Sequence, residues 1–81
     1  MTKLLKFEAD WCGPCKQQDS MLEDFDAVPV EHIDVDESVE NQERANKYNV
    51  RSLPTMILLD GDEVVAQFVG LTQPDEIEDA I

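Results

Sequence analysis

The chain predicts an α/β fold of element order β-α-β-α-β-β-α around a four-stranded mixed sheet, and three observations carry that reading. Short apolar segments rich in β-branched residues alternate with segments whose apolar residues recur at helical spacing. Asp60-Gly61-Asp62 stands between two apolar runs as a hairpin turn. Helix-starting residues, Pro14, Ser38 and Thr72, open each segment of helical character.

Lys3 to Ala9 (KLLKFEA) is too short and too near the start for a helix and reads as a strand. From Pro14 to Asp26, Cys15, Met21, Leu22 and Phe25 recur at helical spacing, and Pro14 suits a first turn, where its missing N–H costs nothing. Val28 to Val35 alternates and is β-branched, a second strand. Ser38 caps a helix to about Tyr48, with Glu40 and Glu43 toward its start, Arg44 and Lys47 toward its end, and Asn49 as a left-handed terminator. Thr55 to Leu59 and Glu63 to Val69 form the hairpin strands. Thr72, with Asp75 three residues on, is the expected cap of the last helix. The helix between the first two strands makes them parallel, with a right-handed crossover. Residues just after the first strand then sit at its carboxyl end, where open α/β sheets place their sites.

Eighty-one residues make one domain, spanning 1–81. A chain this short buries about 60–65% of the surface its unfolded form exposes, so its stability margin is modest. The 42% hydrophobic content still supports a core, and the periodic apolar segments argue against disorder. Nineteen acidic residues against six basic give a formal net charge of −13. Nucleic acid is excluded as a partner, because binding it needs a cationic face, and an anionic membrane surface is disfavoured for the same reason. No run of about 18 apolar residues is present to span a bilayer. Met1 to Lys6 shows neither a long apolar region nor a small-residue cleavage site, so no signal peptide is expected and the expected location is cytoplasmic. The acidic residues are spread along the whole chain, as expected of a halophilic protein whose self-repulsion is screened by concentrated salt. The same charge makes a monomer the simplest expectation.

The chemistry lies in Trp11-Cys12-Gly13-Pro14-Cys15. Residues three apart on a helix have α-carbons about 5 Å apart, and a disulfide needs roughly 4.4–6.8 Å. The pair therefore opens and closes with little backbone movement. A loop this small removes little unfolded-chain entropy, which makes a purely structural bridge a poor explanation. Cys12, at the helix start, is favoured as a thiolate by unpaired N–H groups and the dipole. Cys15, one turn in, is expected to be more buried and to keep its proton. Cys12 is then the nucleophile and Cys15 the resolving thiol. Gly13 admits a partner backbone, and Pro14 stiffens the turn. Trp11 reads as a partly exposed contact surface. The alternative for the cysteines is half of a zinc site, which wants four ligands where one pair and a lone His32 are available. Neither metal nor cofactor is expected. The acidic runs Asp34 to Glu37 and Asp60 to Glu63 read as solvated loops, since they lack the ligand spacing of a calcium loop. Met21 and Met56 read as core filling.

Trp-Cys-Gly-Pro-Cys is the signature of thioredoxins, and the chain resembles that family along nearly its whole length. Arg51-Ser52-Leu53-Pro54-Thr55 resembles the segment that carries the family's cis-proline, and Val69-Gly70-Leu71 resembles the glycine turn that completes its substrate groove. The resemblance implies a thioredoxin-like fold, a cis bond at Leu53–Pro54 and pairing of the Leu53 backbone with an extended substrate. It also implies reduction of protein disulfides, a thioredoxin reductase-like flavoprotein as electron donor, and a role in electron transport and cell redox homeostasis. Three departures stand out. The family's extra first strand and helix have no counterpart here, so in length the chain looks like a glutaredoxin or a miniature thioredoxin-like protein. The family's buried aspartate six residues before the first cysteine is Lys6, and its partner lysine is replaced by Val30. Glu8, on the same strand face as Lys6, is a candidate for proton transfer, with His32 on the neighbouring strand. The competing functions are a glutathione-coupled glutaredoxin, an oxidase or isomerase, and a binding module without turnover.

Overall fold

The computed structural model describes residues 1–81. It contains β1 (Thr2–Glu8), α1 (Gly13–Met21), β2 (Val30–Asp34), α2 (Val39–Lys47), β3 (Thr55–Asp60), β4 (Glu63–Val69) and α3 (Pro74–Ala80). The sheet order is β2-β1-β3-β4, with β1 parallel to β2 and antiparallel to β3, and β3 antiparallel to β4. This is the expected mixed sheet of four strands.

That topology gathers one end of the sheet. Because β3 runs against β1, the start of β3 lies beside the end of β1, and Phe7 pairs with Thr55. Because β4 runs against β3, the end of β4 returns to the same place, and Thr55 also pairs with Val69. The segments after β1, before β3 and after β4, far apart in sequence, thus share one edge.

β1 alternates between two cores, as strand side chains must. Leu5 and Phe7 join Ile33, Ala45, Ile57 and Leu59 under α2, with Tyr48 and Val50 against them. Leu4 joins Val28, Met56, Leu58 and Ile77 on the α1/α3 side, with Leu22 and Phe25 against them. The next β1 residue on this second face is Lys6, which is fully buried.

Several local signals act as read. The Ser38 hydroxyl accepts the Asn41 N–H at 3.1 Å and caps α2. Asn49 adopts φ 57°, while Val50 N–H donates to the Ala45 carbonyl at 2.8 Å and Asn49 N–H to Asn46 at 3.0 Å, a Schellman ending. The β3–β4 hairpin turns through Gly61 at φ 62°.

Two readings need correction. α1 ends at Met21, not near Asp26, and Leu22 to Asp24 leave it in turns. Leu22 and Phe25 still reach the core from that turn, so helical spacing persisted beyond the helix itself. The cap of α3 is Gln73, not Thr72: the Glu76 carboxylate accepts the Gln73 N–H at 3.1 Å, displacing the expected Thr72–Asp75 pair by one residue. Pro74 explains the shift, because it takes the first helical position and fixes the residue before it as extended.

Candidate active site

Cys12 and Cys15 lie at the shared end of the sheet and are joined as a disulfide, with α-carbons 5.3 Å apart. Cys12 is the N-cap of α1, and its sulfur accepts the Cys15 backbone N–H at 3.1 Å. A helix N-terminus therefore presents a donor to the first sulfur, as an anionic thiolate needs. The expected contrast in burial is slight in this oxidised state, since Cys12 is 4% and Cys15 2% exposed. Ala9, Leu53 and Val35 pack around the pair. Gly13 and Pro14 are both exposed at the top of the helix.

Trp11 is 71% exposed. Its indole N–H donates to the Asp36 carboxylate at 2.6 Å, which ties the ring to the segment after β2. Asp36 is exposed in the turn after β2, as a solvated loop acid should be, and it also holds the residue next to Cys12. Only the fold could reveal that, because 25 residues separate the two.

The Leu53–Pro54 bond is cis. The Pro54 carbonyl accepts the Gly70 N–H at 2.9 Å, joining the segments before β3 and after β4. Gly70 adopts φ 81°, a conformation that favours glycine, and Leu71 beside it is 46% exposed. Leu53 makes no backbone hydrogen bond within the chain. Leu53 packs against the cysteines, and Trp11, Pro54, Gly70 and Leu71 lie at the same end of the sheet.

The second sequence-predicted group forms a separate polar cluster on the α1 face. Lys6 is opposite His32 in register, and Leu4 is opposite Val30, which packs against the apolar core. The buried Lys6 ammonium reaches the Glu8 carboxylate at 2.5 Å and Asp19 of α1 at 2.9 Å. His32 Nδ1 lies 2.8 Å from the same Glu8 oxygen and 3.7 Å from Asp19. Burial pushes the Glu8 carboxyl up, but the hydrogen bonds from Lys6 and His32, with their charges, outweigh it and hold it below its ordinary range. Asp19 was not singled out from sequence. Its signal was its place four residues after Cys15, on the same side of α1.

The comparisons with known proteins agree with this geometry. The family model described as Thioredoxin matches residues 1–81. The thioredoxin of Bacillus subtilis is 40% identical over 83 residues, covering 96% of this chain and 77% of that relative. The thioredoxin of Staphylococcus epidermidis is 43% identical over 79 residues, covering 91% and 72%. Among solved structures, a thioredoxin mutant from Halobacterium salinarum superimposes with a TM-score of 0.83 at 40% identity, covering 99% of this chain and 71% of that one. These relatives favour the thioredoxin reading over the glutaredoxin and binding-module alternatives. With its Cys-Gly-Pro-Cys disulfide seated at a helix start beside a cis-proline, this chain belongs to the thioredoxin family and is a protein thiol–disulfide oxidoreductase.

Proposed function

We propose that residues 1–81 act as one domain that reduces protein disulfides, with Cys12 as nucleophile and Cys15 as resolving thiol. The observation that carries the assignment is the Cys15 N–H donated to the Cys12 sulfur at the N-cap of α1. In the dithiol form that donor favours a Cys12 thiolate. Cys12 attacks one sulfur of the substrate disulfide; an S–S bond to Cys12 forms and the other substrate sulfur leaves as a thiolate. Cys15, deprotonated, then attacks the Cys12 sulfur, closing the Cys12–Cys15 disulfide and releasing the second substrate thiolate. Two electrons pass from the protein to the substrate, and a flavoprotein reductase of the thioredoxin reductase kind restores the dithiol. The free Leu53 backbone groups suit strand-like pairing with an extended substrate, flanked by Trp11 on one side and Gly70–Leu71 on the other.

Glu8 takes the Cys15 proton, with Lys6 keeping Glu8 ionised and half-exposed His32 passing the proton to water. Asp19 extends this cluster to within one helical turn of Cys15. The acidic composition and the halobacterial structural relative support a halophilic source, and no helix is long and apolar enough to cross a membrane. A cytoplasmic, monomeric carrier is the matching setting.

The test of the assignment uses Cys12→Ser and Cys15→Ser with a protein disulfide. Cys15→Ser accumulates a mixed disulfide detectable by mass, and Cys12→Ser does not; the reverse pattern overturns the roles. A reduction potential near or below about −250 mV marks a reductant, whereas about −200 mV or higher marks an isomerase-like or glutaredoxin-like role. If Glu8→Gln leaves the pH dependence of turnover unchanged, the proton route fails. A melting temperature that stays flat or falls in rising KCl removes the halophilic reading.

A further inference from the structure

Gln18 is fully buried in α1, an unusual place for a glutamine. Its side-chain amide meets a single residue, Thr72, in the segment between β4 and α3. The Thr72 N–H donates to Gln18 Oε1 at 2.9 Å, and Gln18 Nε2 donates to the Thr72 carbonyl at 2.9 Å. One amide thus satisfies both backbone groups of one residue, as a neighbouring strand would. The two residues are 54 apart in sequence.

The contact does not stop at Thr72. The Thr72 hydroxyl donates to the Gly70 carbonyl at 3.1 Å, and the Gly70 N–H donates to the Pro54 carbonyl at 2.9 Å. A continuous line of hydrogen bonds therefore runs from the helix that carries Cys15, through Gln18 and Thr72, to Gly70 and on to the cis-proline. Leu71, between the two anchored residues, makes no hydrogen bond of its own and is 46% exposed. The segment cannot move away from α1 without leaving two buried backbone groups and a buried amide unpaired.

We infer that Gln18 is a positioning residue: its amide fixes the Gly70–Leu71 segment against α1 and so sets affinity for extended protein disulfides. The inference rests on the groove reading given above, in which Gly70 and Leu71 flank the substrate. The Gln18 amide bonds to Thr72 and makes no hydrogen bond to either sulfur. A small disulfide needs the cysteines alone, whereas an extended chain also needs the flanking segment at its correct distance. Gln18 therefore acts on protein substrates and leaves small ones unaffected.

The experiment compares Gln18→Met, which keeps length and removes both hydrogen bonds, with Leu71→Glu, which alters the groove directly. Reduction of insulin and of a small aromatic disulfide is measured for each. The expected result for Gln18→Met is a KM for insulin raised on the order of tenfold, with kcat and the small-disulfide rate within about twofold of the original. Equal losses on both substrates overturn the inference, since they place the effect on the redox pair. If Leu71→Glu raises the insulin KM and Gln18→Met does not, the clamp fails and the groove reading stands. If neither changes it, both fail together. A readout on the unaltered protein guards against a misfolded variant: the Gln18 side-chain amide and the Thr72 N–H are expected to exchange slowly with solvent deuterium. Rapid exchange at either overturns the clamp.

Discussion

The two faces of the sheet are built from the same strands and hold different things. On the α2 face, β1 contributes Leu5 and Phe7 to an apolar core where the Phe7 and Tyr48 rings meet at 6.2 Å, and the one buried β3 hydroxyl there, Thr55, donates to the Ser52 carbonyl at 2.7 Å. On the α1 face, the same strand contributes Leu4 to a core and then Lys6 and Glu8 to an ion cluster. This face also holds the buried amide of Gln18. One face supplies stability, and the other combines stability with the setting of the redox helix. α1 bears Cys15, Gln18 and Asp19 within five residues, so its buried side is polar where α2 is supported by hydrocarbon.

The two faces are separated most clearly by damaging each at one β1 position. Phe7→Ala should cost about 3–5 kcal/mol, the usual loss for deleting a buried ring. In a domain this small that is a large part of the whole stability, and denaturant melts should show it. The refolded fraction should keep the original pH dependence of turnover. If that dependence shifts as well, the division of labour between the faces is wrong.

Lys6→Met on the opposite face should have the reverse balance. Removing one partner of a fully buried ion pair can cost about 3–5 kcal/mol. Here Glu8 is 23% and Asp19 45% exposed, so both carboxylates can rehydrate, and about 1–2 kcal/mol is expected. The cost should depend on pH. Glu8 is held below its ordinary range in the folded state, so its contribution is complete above the unfolded value of about 4.3 and is lost as pH falls through the lower folded value. The stability gap between the original protein and Lys6→Met should therefore be widest above about pH 5 and should close in acid. A gap independent of pH would show that Lys6 contributes packing alone.

The same contrast explains what the sequence made legible. The apolar α2 face, the hairpin and the Ser38 cap follow from local periodicity and local hydrogen bonding, so they could be read residue by residue. The cysteine pair was legible because its spacing and helix start are also local. Asp36, Asp19 and Gln18 were not. Each is a polar side chain whose partner lies far along the chain or across the sheet, and composition assigns such residues to solvent by default. The α3 cap was missed by one residue for a local reason: Pro74 overrode the capping pattern that Thr72 and Asp75 presented.

Ser38→Ala tests a local signal on the α2 side. It removes the 3.1 Å bond to Asn41 N–H and should cost about 1 kcal/mol, read as a lower melting temperature with turnover unchanged.

The smallest effect should come from Glu31, which faces solvent at the β2 edge. The hydrogen bond from Arg44 at 2.7 Å lowers its carboxyl, burial raises it, and Lys3 at 3.2 Å lowers it again. Its charge is thus paired twice, but the side chain is 41% exposed and solvent screens both partners. Glu31→Gln should cost no more than about 0.5 kcal/mol in dilute buffer and nothing measurable in concentrated salt. Because its carboxyl sits below the ordinary range, that small contribution should vanish in acid as well as in salt. The Lys6–Glu8 pair is shielded by α1 and should lose far less of its effect to salt. Measuring both variants across a salt series separates a buried pair from an exposed one within the same two strands. Equal salt sensitivity would mean that water reaches Lys6 in solution and that the cluster on the α1 face is an ordinary surface network.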